Sequence, residues 1–146
     1  KVLEAIQREL PLESCPFKVM LDDLSIAEPL IVLKTLAQKG VLNKINAIVD
    51  YSRLGFKANA MVCMTVSEER IDELGAVLAR IPAVTHCYNR SPYKDWFYNL
   101  YAMCHADTLE RITNFVQSFC QSYDIAEYQI LPTLREFKKK PVHVEL

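Results

Sequence analysis

The sequence is poor in residues that interrupt regular structure and has no long apolar run. Glycine occurs 3 times and proline 7 times in 146 residues, while 51% of the residues are hydrophobic. This composition favours a packed core over disorder, and the length suits one domain or two small ones. No apolar stretch approaches the length of a membrane span, and no signal-peptide pattern occurs at the start. We therefore expect a cytoplasmic protein without membrane association.

Paired cysteines and a strong net charge are also absent. The 5 cysteines are odd in number, and no two of them form a C-x-x-C pair. This pattern favours reduced side chains and argues against a structural zinc site. The formal net charge is −1, which argues against nonspecific binding to nucleic acid.

The first part of the chain, residues 1–53, predicts a small helical unit. Apolar residues recur at helical spacing in three stretches, at 2–10, 17–24 and 26–39. Lys39-Gly40 is a plausible C-terminal cap, and the following segment 42–50 alternates as a strand would. This order is typical of a winged helix-turn-helix. Acidic residues slightly outnumber basic ones before position 51, so DNA binding is not favoured, and a packing or dimerisation module is the alternative.

The second part, residues 54–146, alternates strand and helix patterns. In the strand predicted at 56–66, even-numbered side chains face one way and odd-numbered side chains the other. A helix between Ser67 and Pro82, a hairpin, a second helix and a last strand at 124–131 follow. The order is β-α-β-β-α-β, which predicts a ferredoxin-like unit with both helices on one face of an antiparallel sheet. We therefore expect an α+β protein.

The predicted hairpin, residues 84–105, concentrates chemically active side chains. Its first strand, 84–90, sends one set of side chains to a common face, namely His86, Tyr88 and Arg90. If Arg90 is opposite Phe97, the second strand adds Asn99, Tyr101 and His105 to that face. The alternative is an ordinary half-exposed hairpin with a tyrosine-rich polar face.

Three strings in this part of the chain carry a resemblance to a known family. They are LGFKANAM at 54–61, VTHCYNR at 84–90 and WFYNLYAMCH at 96–105. All three resemble the siroheme decarboxylases, a catalytic branch of the Lrp/AsnC-like proteins, and the resemblance covers nearly the whole chain. It implies non-oxidative loss of two acetate carboxyl groups from siroheme, an iron-containing tetrapyrrole, to give didecarboxysiroheme in alternative haem biosynthesis. It implies no required cofactor.

The resemblance also implies roles for individual residues. We predict His86 as the proton donor, with a hydrogen bond to a neighbour or to a ligand carboxylate as the alternative role. Arg90 is predicted to grip a substrate carboxylate. His105 could be a second acid, an axial iron ligand or a core histidine. The predicted substrate contacts are Lys57, Arg53, Tyr88, Trp96, Tyr98, Asn99, Tyr101 and His105. Of these, Tyr98 and Asn99 are expected to serve the structure of the hairpin first. No metal held by the protein itself is expected.

Partners follow from the same resemblance. It implies a dimer with a related, paralogous subunit, or a homodimer; DNA as a partner is not favoured, because of the charge balance of the N-terminal unit. Two other functions stay open. One is a tetrapyrrole-sensing DNA-binding regulator of the Lrp/AsnC type, and the other is a protein that binds the macrocycle without changing it.

Overall fold

A computed structural model describes residues 2–8, 10–20, 27–45 and 51–138. The chain divides into two compact units, Lys1–Ile48 with Lys138–Leu146, and Val49–Phe137. Within the described residues, no helix is both long and apolar enough to cross a lipid bilayer.

The described residues of the N-terminal unit form the helices α1 at Val2–Ile6, α2 at Pro16–Met20 and α3 at Ala27–Gln38. The predicted cap at the end of the third helix is confirmed. Gly40 has a φ of 69°, and its N–H donates to Ala37 O while the Val41 N–H donates to Leu36 O at 2.9 Å. These two bonds satisfy carbonyls that a helix end leaves without partners.

The strand predicted at 42–50 does not form over residues 42–45, and residues 46–50 lie outside the described residues. An isolated strand leaves its backbone N–H and C=O groups unpaired, so it needs a neighbouring strand. None of the described residues of the N-terminal unit forms such a neighbour. The first helix also ends at Ile6, four residues before the predicted end. The described residues of the N-terminal unit therefore include the three predicted helices, but residues 42–45 do not form the strand expected for the wing.

The second unit is the predicted βαββαβ arrangement. After a 3-10 helix at Tyr51–Leu54, its elements are β1 Ala58–Met64, α4 Glu68–Ala79, β2 Val84–Asn89, β3 Leu100–Ala106, α5 Leu109–Ser122 and β4 Tyr128–Pro132. The four strands form one antiparallel sheet in the order β2-β3-β1-β4. This is the ferredoxin-like order, and the predicted fold of this unit is confirmed.

Both helices of this unit pack on one face of the sheet. Helix α4 buries Ile71, Leu74 and Leu78, and α5 buries Ile112, Val116 and Phe119. The strands contribute Ala60, Val62, Met64, Leu100, Ala102 and Cys104 to the same core. The even-numbered side chains of β1 therefore share one face, as predicted, and that face is the one covered by the helices. The odd-numbered ones point to the opposite face, which we call the outer face.

Candidate active site

A β-bulge at Thr85 sets the direction of the residues that follow it. Val84 is opposite Cys104 and His86 is opposite Met103, so Thr85 has no residue of its own across the ladder. Val84 is buried in the core, and Cys87 packs against that core. A regular strand would send residues three apart to opposite faces. The bulge absorbs one position, so Thr85 and His86 both point to the outer face.

The hydroxyl of Thr85 contacts both histidines of the outer face. Thr85 Oγ1 lies 2.8 Å from His105 Nε2 and 3.1 Å from His86 Nδ1. A third contact joins the same hydroxyl to the Met103 carbonyl at 3.5 Å. Two imidazoles from neighbouring strands therefore meet at one oxygen atom. His86 is exposed, so its second ring nitrogen, Nε2, remains accessible to a ligand.

The other end of the same face is built around Arg90. Its guanidinium carbon lies 5.6 Å from the centre of the Tyr88 ring and 5.8 Å from the centre of the Tyr101 ring. Tyr88 and Tyr101 are directly opposite each other in the ladder, so the two rings support the guanidinium from both strands. Within the described residues, no carboxylate forms a salt bridge with Arg90. Its N–H groups can therefore bind an external anion.

Trp96, Tyr98 and Tyr101 stabilise the end of the hairpin. The Trp96 indole N–H donates to the Tyr101 hydroxyl at 2.7 Å, and that hydroxyl donates to the Tyr98 carbonyl at 2.9 Å. The Trp96 and Tyr98 rings meet edge to face, with their centres 4.9 Å apart. Tyr93 and Trp96 exchange two backbone hydrogen bonds around a two-residue turn in which Lys94 has a φ of 50°. These contacts order the residues between the two strands.

The predicted pairing of Arg90 with Phe97 is wrong by two residues. The Arg90 N–H donates to the Asn99 carbonyl at 2.8 Å, and β3 begins only at Leu100. Phe97, Tyr98 and Asn99, which we expected in the second strand, lie before its first residue and after the turn at 93–96. Because a shift of two residues preserves the faces, Tyr101 and His105 still share the outer face with His86 and Arg90.

Asn99 is 9% exposed, and both ends of its amide are bound to the main chain of Val66. Asn99 Oδ1 accepts from the Val66 N–H at 2.9 Å, and Asn99 Nδ2 donates to the Val66 carbonyl at 2.6 Å. The Asn99 amide thus gives Val66 the two main-chain hydrogen bonds that a neighbouring strand would otherwise provide, just beyond the end of β1 at Met64. Its geometry is that of a structural residue.

Lys57 and Arg53 precede β1. Lys57 is exposed and lies next to Ala58, which is opposite Ala106 at the end of β3. It therefore stands at the same end of the sheet as His105. Arg53 is an exposed residue of the 3-10 helix. Asn59 is directly opposite His105, and its buried Oδ1 has no hydrogen-bond partner among the described residues.

The cysteines of the second unit offer little reactivity. Burial raises the pKa of the Cys104 thiol to about 11, with a further contribution from Cys87, and burial raises that of Cys120 to about 11. Such thiols are protonated at neutral pH and are poor nucleophiles and metal ligands. Within the described ranges, no group of three or more His, Cys, Asp and Glu side chains is arranged to hold a metal ion.

Thr85 is not among the residues predicted for the site, although the spacing of the apolar residues on either side of it indicates a bulge. Val84 and Cys87 are both small or medium apolar residues, three positions apart in a predicted strand. A regular strand cannot bury both on one face, so the pair indicates a bulge between them. Asn59 was assigned to the correct face without a role.

Fold and site together define a class of protein. Residues 53–138 match the AsnC-like ligand binding domain. The solved structure of AsnC from E. coli superposes on 97% of this chain with a TM-score of 0.78, at 14% sequence identity, which shows a common fold only.

Closer relatives identify the family within that class. The siroheme decarboxylase beta subunit of Methanosarcina barkeri is 35% identical over 146 residues, covering 99% of this chain and 96% of that protein. The crystal structure of the siroheme decarboxylase NirDL in complex with an iron-uroporphyrin III analogue is 32% identical, with a TM-score of 0.70. That match covers 97% of this chain and 44% of the NirDL chain. The chain belongs to the siroheme decarboxylase family.

Proposed function

We propose that the chain is a subunit of a siroheme decarboxylase, which removes two acetate carboxyl groups from siroheme to give didecarboxysiroheme. One observation carries the proposal. Two linked histidines stand at one end of the outer face, and an arginine without a carboxylate partner in the described residues stands at the other. A relative that carries this activity in its name matches the chain over nearly its whole length.

The chemistry requires an acid near the reacting acetate. When the bond between the methylene carbon and the carboxylate breaks, CO2 leaves and the electron pair is held by the pyrrole ring system. The methylene carbon then takes a proton and becomes a methyl group. His86 can supply that proton from Nε2, because Nδ1 faces Thr85 and Nε2 is accessible.

Arg90 would hold a carboxylate of the substrate. Arg90 follows His86 by four residues along an extended backbone, so their Cα atoms are about 13 Å apart. A tetrapyrrole with its acid side chains can span such a distance, so that one carboxylate reaches the guanidinium while another lies near the histidines. A guanidinium that rests on aromatic rings keeps its planar N–H edge free for two parallel bonds to a carboxylate.

Other predicted contacts divide into two groups. Tyr88 and Trp96 are 49% and 40% exposed, so their rings can stack on or beside the macrocycle. Lys57 and Arg53 remain proposed carboxylate contacts. The hydrogen bonds of Asn99 favour a structural role, because its amide is buried and both its oxygen and its nitrogen are bound to the main chain of Val66. Tyr98 and Tyr101 support the hairpin in the same way.

The iron of siroheme belongs to the substrate, and no further cofactor is proposed. Iron ligation by His105 Nε2 would break its 2.8 Å contact with Thr85, and ligation by the other ring nitrogen, Nδ1, would require a buried atom to be uncovered. We therefore favour a role for His105 beside His86 rather than on the iron. Since the relatives are named as subunits, we propose that a related chain completes the enzyme.

The test is an anaerobic incubation of the full chain with siroheme, alone and with a related subunit, followed by mass spectrometry of the tetrapyrrole. Loss of two CO2 is the expected result. Recovery of intact siroheme that the protein had clearly bound, in both incubations, would instead favour a sensor or a binding protein, and DNA binding would then be measured.

The role of His86 is tested by His86→Ala. We expect kcat to fall about 100-fold, while siroheme affinity changes by less than about threefold. His143→Ala is the control, because it removes the third histidine of the chain, which has no proposed role. Turnover that is equal in both variants would remove His86 as the acid.

A further inference from the structure

The Thr85 hydroxyl imposes a rule on the two histidines that contact it. A hydroxyl group carries one proton and can accept two hydrogen bonds. If Thr85 donates to one imidazole nitrogen, the other imidazole must donate to Thr85. If both imidazoles donate, the hydroxyl proton must go to the Met103 carbonyl, which lies 3.5 Å away. Both rings therefore cannot act as acceptors at once, and their tautomers are linked.

The same contacts fix the rings in space. The side chain of His86 would otherwise be free to rotate on an exposed strand, and its two nitrogens would exchange positions. The 3.1 Å contact with Thr85 and the approach of the Tyr88 ring, whose centre lies 6.1 Å from that of His86, restrict this rotation. Nδ1 is then held against the protein and Nε2 is directed away from it. Reacting groups act fastest when they are held in the productive orientation before the substrate arrives.

We propose that Thr85 is a positioning residue for the reaction. Its hydroxyl orients the rings of His86 and His105 and links the protonation of His86 Nδ1 to that of His105 Nε2, so that Nε2 of His86 faces the substrate. This inference rests on the proposed function for its kinetic consequence, but the contacts with the two rings exist in the chain without substrate.

The decisive comparison is between Thr85→Val and Thr85→Ser. Valine keeps the branched shape and suits a strand but has no hydroxyl, whereas serine keeps the hydroxyl. We expect Thr85→Val to lower kcat about 10- to 100-fold with less than about a threefold change in KM, and Thr85→Ser to stay within about threefold of the original chain. Thr113→Val is the matched control, because it removes a hydroxyl that donates to the Leu109 carbonyl on α5.

A second measurement needs no substrate. In the full chain labelled with 15N-histidine, the ring-nitrogen shifts report which nitrogen is protonated, and the signals are assigned with His86→Ala and His105→Ala. We expect Thr85→Val to change the ring-nitrogen shifts of both histidines and Thr113→Val to leave them unchanged. If Thr85→Val does not fold, Thr85→Ala replaces it in both experiments.

The outcomes separate the two proposals. Unchanged ring-nitrogen shifts in Thr85→Val, or an unchanged kcat, would overturn the role of Thr85. A loss of kcat in Thr85→Ser equal to that in Thr85→Val would overturn it as well, since the hydroxyl would then not be the cause. If siroheme is bound but stays intact both without and with the related subunit, while the ring nitrogens respond to Thr85→Val, the proposed enzyme would be contradicted and the linked histidines upheld.

Discussion

Asn99 provides the sharpest test, because the sequence allows both a structural role in the hairpin and a substrate contact, and its hydrogen bonds indicate the structural role. Asn99→Ala would remove both hydrogen bonds to the main chain of Val66, which is 7% exposed. A buried N–H or C=O that loses its partner costs roughly 1–3 kcal/mol. Two such groups make the expected loss in the free energy of unfolding about 2–5 kcal/mol.

The assay is equilibrium denaturation in urea, followed by circular dichroism. We expect the midpoint to fall while the slope with denaturant stays the same, since the surface exposed on unfolding is unchanged. Asn114→Ala is the control, because Asn114 is exposed on α5 and its loss should change stability by no more than about 0.5 kcal/mol. A loss below about 1 kcal/mol for Asn99→Ala would refute the reasoning. A weaker siroheme affinity without a loss of stability would make Asn99 a substrate contact.

Three further predictions follow from single contacts. Arg90→Lys should raise the KM for siroheme about 10-fold, because an ammonium cannot form two parallel bonds to a carboxylate, and an unchanged KM in steady-state assays would contradict this role. Lys94→Gly should raise the free energy of unfolding by up to about 1 kcal/mol, since the φ of 50° is a strain for lysine and not for glycine; a lower denaturation midpoint would argue against it. At pH 8, iodoacetamide should modify the exposed Cys15 but not Cys104, because a pKa of about 11 leaves on the order of one thiol in a thousand ionised, and reactivity should rise only as the pH approaches 11. Peptide mass spectrometry measures the labelling, and equal labelling of the two cysteines at pH 8 would contradict a buried, protonated Cys104 thiol.

The second unit was largely predictable because its apolar residues repeat with the periods of helices and strands. The stripe at Ile71, Leu74 and Leu78 and the alternation of 58–64 both place their residues correctly. Composition also located the site, since few segments combine histidine, arginine and tyrosine as 85–105 does. Side-chain period is thus a reliable guide wherever one face is buried.

The details that escaped prediction depend on backbone pairing rather than on side-chain period. A two-residue shift in register leaves every face unchanged, so the alternation of Arg90 and Tyr101 contains no information about it. The role of Asn99 depends on Val66, which is far away in sequence and whose main chain needs partners only after β1 ends. Alternation at 42–45 has no neighbouring strand among the described residues of the N-terminal unit, and these four residues do not form a strand.

The bulge at Thr85 has a consequence for how the strand tolerates insertion and deletion. Val84 and His86 are opposite consecutive residues of β3, Cys104 and Met103, so removal of Thr85 would leave an uninterrupted ladder with every remaining side chain on its present face. The fold does not need this position in order to close its sheet. A threonine there is one residue more than the architecture requires. Lineages of this fold could gain or lose the link between the two histidines by a single codon, without redesign of the core.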